Sequence, residues 1–215
     1  MTRNTIQDYL KTIYSIAESG RPATTSAIAE RLGVSPATVT AMVKRLSASG
    51  ELLYRRYRGV ELTDKGLALA LEVIRHHRLL EEYLHRQLGI PWDRVHEEAE
   101  VLEHAISEEV EDRMAAVLGH PTHDPHGDPI PPKSGPHRAV RHAALSELEG
   151  PATVRRVSDR DPEALRYLEK LGLRPGTSIT IGEKGPFGGP VWVTVGKRKH
   201  AIGRELADCI YVSPA

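Results

Sequence analysis

Four residues, Gly33-Val34-Ser35-Pro36, constrain the fold of this chain more than any other stretch. Before them, Ile28, Ala29 and Leu32 recur at helical spacing, which predicts a short helix over 24–31. After them, Val39, Met42, Val43 and Leu46 form the apolar stripe of a second helix over 37–49, closed by Gly50. Ser35 is a good N-cap, and Pro36 takes the first helical position, where its missing N–H costs nothing. Helix, glycine-containing turn, helix is the helix-turn-helix pattern. The N-terminal face of the second helix presents Ser35, Ala37, Thr38, Thr40 and Ala41. These are small side chains that reach base edges without clashing. Lys44 and Arg45 follow along the same helix, placed for phosphate.

The flanking segments extend this head. Ile6, Tyr9, Leu10, Ile13 and Ile16 predict a first helix over 5–19, ended by Gly20. Asp8 falls opposite Ile6 and Ile13, where an acid in a first turn ordinarily serves the helix dipole. Residues 52–63 read as two short strands joined by a basic turn at Gly59. A basic hairpin directly after a helix-turn-helix is a wing. Arg55, Arg56 and Arg58 are expected to lie on the phosphate backbone and to add affinity without sequence information. A long helix from Asp64 to about Leu88 follows and closes at Gly89.

Beyond it, residues 93–118 contain no Gly or Pro and read as one helix. At about 100° per residue, His96, Glu100, Glu103 and His104 share an arc of roughly 100°. His77 and Glu81, at i and i+4, share a face of the preceding helix. Oxygen donors mixed with imidazole suit a divalent transition metal. The expectation is a metal site whose occupancy the rest of the chain reads.

Charge follows the same division. Residues 1–75 carry 11 Lys and Arg against 7 Asp and Glu, and residues 76–120 carry 4 against 11. A basic head before an acidic, His-containing middle fits a polyanion at one end and a cation at the next. One cysteine, Cys209, excludes an internal disulfide framework, and its place in a strand-like run predicts a buried, inert thiol. No apolar run approaches the roughly 18–20 residues that span a bilayer. No signal-peptide pattern opens the chain, so the expected location is cytoplasmic, without membrane contact.

From Gly119 to Pro136 the composition turns to Pro, Gly and His without periodicity, and His120, His123, His126 and His137 are expected to be connector residues. A short helical piece is expected over 138–148. From Gly150, five strand-like runs interrupted by a helix over 162–171 predict a small barrel. The fold class is therefore mainly α with a small β domain. Its parts are a winged helix-turn-helix over 1–73, a helical domain over 74–142 and an SH3-like β barrel over 150–215.

Residues 5–142 resemble the diphtheria-toxin-repressor family of metal-dependent transcription regulators, including its manganese-transport branch. The resemblance rests on Asp8-Tyr9-Leu10-Lys11-Thr12-Ile13-Tyr14, Ile28-Ala29-Glu30-Arg31-Leu32, Thr38-Val39-Thr40 and the run Arg58 to Gly66. It continues through His77-Arg78-Leu79-Leu80-Glu81, Val95-His96-Glu97-Glu98-Ala99, Glu103-His104 and Gly127-Asp128-Pro129-Ile130-Pro131. Residues 150–215 resemble the SH3-like third domain of longer members through weaker motifs.

The resemblance implies a homodimer that binds divalent metal as co-repressor and occupies palindromic operator DNA. By position it assigns Asp8, Glu100, Glu103 and His104 to a primary site. It assigns His77, Glu81 and His96 to an ancillary one, with Asp161 and Glu163 as donors from the third domain. Some iron-responsive relatives carry Met and Cys where this chain has Asp8 and Glu100. Replacing sulfur by carboxylate favours hard ions, so Mn2+ is expected first and Fe2+ second, at two sites per chain. Lys11 stands where short manganese regulators have an acid, which argues for two separate sites over a close binuclear one.

On this reading a cation held by both Asp8 and the middle helix selects one arrangement of the DNA-binding head. A dimer with its heads about 34–36 Å apart could then place both recognition helices in successive major grooves. The expected role is repression of metal-uptake genes. One alternative is a winged-helix regulator that ignores metal. A lesser one is a metallohydrolase using Glu97 or Glu98 as base. The stretch lacks His-Glu-x-x-His, which argues against an enzyme.

Overall fold

A computed structural model describes residues 3–55, 59–135 and 140–215. Arg56 and Arg58, expected at the wing tip, lie outside the described residues, as does His137. The chain divides into two compact units, Met1–His76 with Pro131–His137 and His77–Ile130 with Arg138–Ala215.

The first unit opens with α1 (Arg3–Glu18), α2 (Thr25–Leu32) and α3 (Pro36–Ala48). The expected punctuation sets each boundary. Thr24 caps α2 by accepting from the Ala27 N–H, and Gly33 ends it in the left-handed region at φ 64°. Ser35 accepts from the Thr38 N–H at the start of α3, with Pro36 at the first helical position. Leu10, Ile13, Ile28, Val39, Met42, Leu46 and Leu52 form the core, each 1% exposed or less. Strands β1 (Leu52–Arg55) and β2 (Gly59–Leu62) pair antiparallel as the wing. β2 is tied back to the head by the Val60 N–H, which donates to the Ala23 carbonyl. Gly59, at φ 80°, allows this approach, because a Cβ there would stand 2.3 Å from the Ala23 oxygen.

The division between the units falls within α4 (Asp64–Leu88). The second unit continues with α5 (Val95–Leu102) and α6 (Glu108–Val117). The single helix expected over 93–118 is thus two helices. α5 stops at Leu102, the Glu103 N–H donates to the Ala99 carbonyl, and the chain turns at 103–105. Ser107 then caps a new helix through the Val110 N–H, with Glu108, Glu109 and Glu111 in its first turn, where acids suit the helix dipole. No Gly or Pro is needed for such a break. Leu79, Leu80, Ala99, Met114, Ala115 and Leu118 pack the three helical segments together.

The remainder is β3 (Ala143–Ala144), β4 (Gly150–Val157), α7 (Pro162–Leu171), β5 (Ser178–Lys184), β6 (Val191–Val195), β7 (Arg198–Ile202), α8 (Arg204–Ala207) and β8 (Ile210–Pro214). The strands form one six-stranded antiparallel sheet in the order β3-β8-β4-β5-β6-β7. The helical piece expected over 138–148 is, where described, the short β3 and a single 3-10 turn at Leu145–Glu147. Trp92, from the turn between α4 and α5, sits in the core of this sheet beside Val154, Leu165, Leu168 and Ile181. Arg166 on α7 pairs with Asp93 at 2.8 Å. Cys209 is half-buried rather than fully buried, and its thiol pKa is raised by burial.

Candidate metal centre

Glu81 has no exposed surface and lies one helical turn after His77 on α4. Its Oε1 is 3.0 Å from His77 Nε2 and 3.1 Å from His96 Nδ1, contributed by α5. Those two nitrogens are 3.0 Å apart. His96 Nδ1 is also 3.1 Å from Oδ2 of Asp159, which follows β4. Two imidazole nitrogens facing each other at this distance gain nothing as a hydrogen bond unless one lacks its proton. Ligand atoms about 2.1 Å from one octahedral cation stand about 3 Å from one another. The spacing seen is that spacing.

The opposite side of Glu81 carries the stronger sign. Its Oε2 faces His126 Nδ1 at 3.8 Å, too far for a hydrogen bond, and both atoms are buried without a hydrogen-bond partner. Orphaned buried polar atoms cost about 1–3 kcal/mol each, so two of them face to face mark a place for a shared ligand. His126 is oriented from its far side, since Nε2 donates to the Trp92 carbonyl at 2.7 Å. A backbone carbonyl on one ring nitrogen is the usual way a protein aims the other at a metal. The loop holding His126 is fixed in turn. Asp124 accepts from the His126 and Asp128 N–H groups, and the Val157 N–H of β4 donates to the His126 carbonyl. Arg78 and Arg156 both bind Asp128 Oδ1, at 3.1 and 2.9 Å.

Charge is balanced without a cation by protons. Burial pulls the His96 pKa down, but Asp159 and Glu81 outweigh it and raise it to about 10. Burial likewise opposes charge on His126, and Glu81, Asp124 and Asp159 raise it to about 10. Burial favours the neutral acid at Glu81, yet His77, His126 and His96 hold its carboxyl well below the usual range. Asp159 is lowered too, with His96 overcoming its burial. Asp124 moves the other way, raised well above the ordinary value by burial and by the charges of Glu81 and Asp128. These imidazolium protons occupy positions that a divalent cation could take.

Glu103 and His104 lie in the turn after α5, not on the helical face expected to carry them. Glu103 is 1% exposed, its Oε2 is 2.5 Å from His77 Nδ1, and its Oε1 is 3.4 Å from His104 Nε2. Glu100, exposed on α5, has Oε1 4.0 Å from His77 Nδ1 and 3.8 Å from His96 Nε2. In the first unit Asp8 is half-buried on α1.

Two expected donors are corrected. Asp161 caps α7, accepting from the Glu163 and Ala164 N–H groups, and the Glu163 side chain is 89% exposed. The third-domain acid at the cluster is Asp159, two residues earlier. His126 was expected to be a connector residue and is instead part of the cluster. Its sequence signal was its place directly before Gly127-Asp128-Pro129.

On the head, Ser35, Ala37, Thr38, Thr40, Ala41 and Lys44 are all exposed. Val39, Met42 and Leu46 alternate with them on the buried side of α3. Arg55 is exposed and pairs with Glu61 across the wing at 3.1 Å.

Comparison with known proteins matches three family models along the chain. They are the N-terminal DNA-binding domain of iron-dependent repressors over 1–60, their metal-binding and dimerisation domain over 63–132, and the FeoA domain over 145–214. The chain is 37% identical to the iron-dependent repressor IdeR of Mycobacterium tuberculosis, over 97% of this chain and 96% of that one. Among solved structures, a manganese-dependent transcriptional repressor in complex with manganese aligns with a TM-score of 0.91 at 37% identity. That alignment covers 98% of this chain and 100% of the other. The repressor ScaR with bound Zn2+ aligns at 0.84 and 34% identity, over 98% and 99%.

Proposed function

The chain belongs to the family of metal-dependent, DNA-binding transcriptional repressors that includes IdeR and the diphtheria toxin repressor, regulators and not enzymes, and on that premise we propose that it is a Mn2+-responsive repressor with two metal sites. The observation that carries the metal reading is the pair of buried, unpartnered atoms Glu81 Oε2 and His126 Nδ1. They complete a histidine-rich set of His77, Glu81, His96, His126 and Asp159. A second, carboxylate-rich set is Glu100, Glu103 and His104 with Asp8 from α1.

The second set favours Mn2+ over softer ions, with Fe2+ next, because no sulfur donor belongs to it. A bound cation would supply the positive charge that lets three carboxylates share one site. His77, Glu103 and Glu81 are positioned by burial, and Asp159 and His126 by their backbone ties to β4 and Trp92. On the head, the exposed small side chains of α3 read bases while Lys44 and Arg55 contact phosphate. The protein acts as a homodimer on palindromic operator DNA in the cytoplasm and represses metal-uptake genes. Among the described residues, no helix is long and apolar enough to cross a membrane.

A gel shift on the chain's own promoter region with Mn2+, Fe2+, Zn2+ or chelator tests this. Retardation with Mn2+ and its loss with chelator is the expected result. Equal binding in all four conditions would sink it.

A further inference from the structure

His77 touches both ligand sets. Its Nε2 lies 3.0 Å from Glu81 Oε1 and 3.0 Å from His96 Nδ1, while its Nδ1 lies 2.5 Å from Glu103 Oε2. The residue is 4% exposed, so water competes weakly for either nitrogen. A neutral imidazole has one N–H and one lone pair. Whatever claims the lone pair of Nε2 therefore places the proton on Nδ1, against a carboxylate. A hydrogen bond to an ionised acceptor is short and about twice as strong as a neutral one.

We infer that His77 is a positioning residue that couples the two sets: filling the set around Glu81 commits its Nδ1–H to Glu103 and fixes that carboxylate for the set it shares with Glu100 and His104. The inference rests on the two-site reading above. Its second consequence is reciprocity, since a coupling between binding sites acts equally in both directions. Filling the Glu103 set pulls the His77 proton to Nδ1 and leaves Nε2 ready beside Glu81. The geometry supports this because Glu81 and Glu103 address opposite nitrogens of one ring, so neither can move its proton without the other responding. Asp159 and His126 belong to the Glu81 set alone, which gives a way to perturb one set from a distance.

The test is Mn2+ binding to the full chain by calorimetry and by electron paramagnetic resonance of free Mn2+. Asp159→Ala and His126→Ala, made separately, keep the experiment readable if either fails to fold. Each is expected to weaken one Mn2+ directly and the other by about 10-fold, the usual effect of losing an outer-shell orienting group. In a His77→Phe background, Asp159→Ala should leave the remaining event unchanged. Nitrogen-15 spectra of labelled histidines with Zn2+ as diamagnetic probe should show His77 protonated at Nδ1, with a downfield proton lost in Glu103→Gln. Two independent events in the wild type, with Asp159→Ala altering only one, would overturn the coupling. So would a loaded His77 without an Nδ1 proton. A wild type that takes a single Mn2+ would overturn the two-site reading itself, and the coupling with it.

Discussion

His126 donates its Nε2–H to the Trp92 carbonyl at 2.7 Å, and this leaves Nδ1 pointed at Glu81 Oε2 across a 3.8 Å gap. The ring is thus held by the backbone of one segment and aimed at a carboxylate of another. His126→Ala should weaken Mn2+ binding at the histidine-rich set by about 10-fold or more. It should leave metal-free helix content unchanged by circular dichroism. Unchanged calorimetric binding would remove His126 from the site.

Asp159 and Asp161, two residues apart, are expected to fail in different ways. Asp159→Ala should reduce metal affinity. Asp161→Ala should leave metal binding alone and cost about 1 kcal/mol of stability, because it removes the cap of α7. Urea unfolding beside Mn2+ titration separates the two outcomes.

Proton occupancy gives a pH signature. His96 and His126 are raised from 6.5 to about 10 in the metal-free fold. Groups raised on folding stabilise fully below their unfolded pKa and lose that contribution as pH rises through the folded value. The melting temperature in chelator should therefore fall between pH 6.5 and 10. Glu81 and Asp159 are lowered, so their contribution holds above the ordinary carboxylate pKa and is lost in acid. Added Mn2+ should release protons, and its stabilisation should grow across the same alkaline window. A flat chelated profile there would contradict the charged state of these imidazoles.

Gly127 sits at φ 90°, and a Cβ on it would stand 2.0 Å from the Arg155 oxygen. Gly127→Ala should therefore push the loop off β4 and cost on the order of 1–3 kcal/mol. Loss of Mn2+ affinity should accompany the lower unfolding midpoint, since the same loop carries His126.

On the head, Lys44→Ala should weaken binding to every duplex alike and reduce the slope of log affinity against log salt by about 0.9. Enlarging Ala41 should instead change which sequences are preferred. Fluorescence anisotropy on operator and scrambled duplexes at several salt concentrations reads both.

The head was legible in the sequence because its boundaries are written locally, in Thr24, Gly33, Ser35, Pro36 and Gly59. The break at Glu103 was not, because Ser107 with Glu108, Glu109 and Glu111 marks a new start only if the preceding helix is already known to end. His77, Glu81 and His96 were legible from spacing and resemblance. Asp159 and His126 were hidden, since what joins them is the hydrogen bond from Val157 to the His126 carbonyl and a buried Trp92, and neither leaves a periodicity. The resemblance pointed to the right end of the third domain but missed the ligand by two positions, because Asp161 is the better helix cap.

The chain has two tryptophans, and their surroundings make the protein its own optical gauge. Trp92 is 2% exposed and stacked on His126 with ring centroids 5.7 Å apart, whereas Trp192 is 37% exposed beneath the Lys199 ammonium. An imidazolium against an indole quenches its emission, so replacing that proton should brighten the blue-shifted signal of Trp92 alone. In a Trp192→Phe variant, emission would then report the state of the histidine-rich cluster continuously, in solution, without a label.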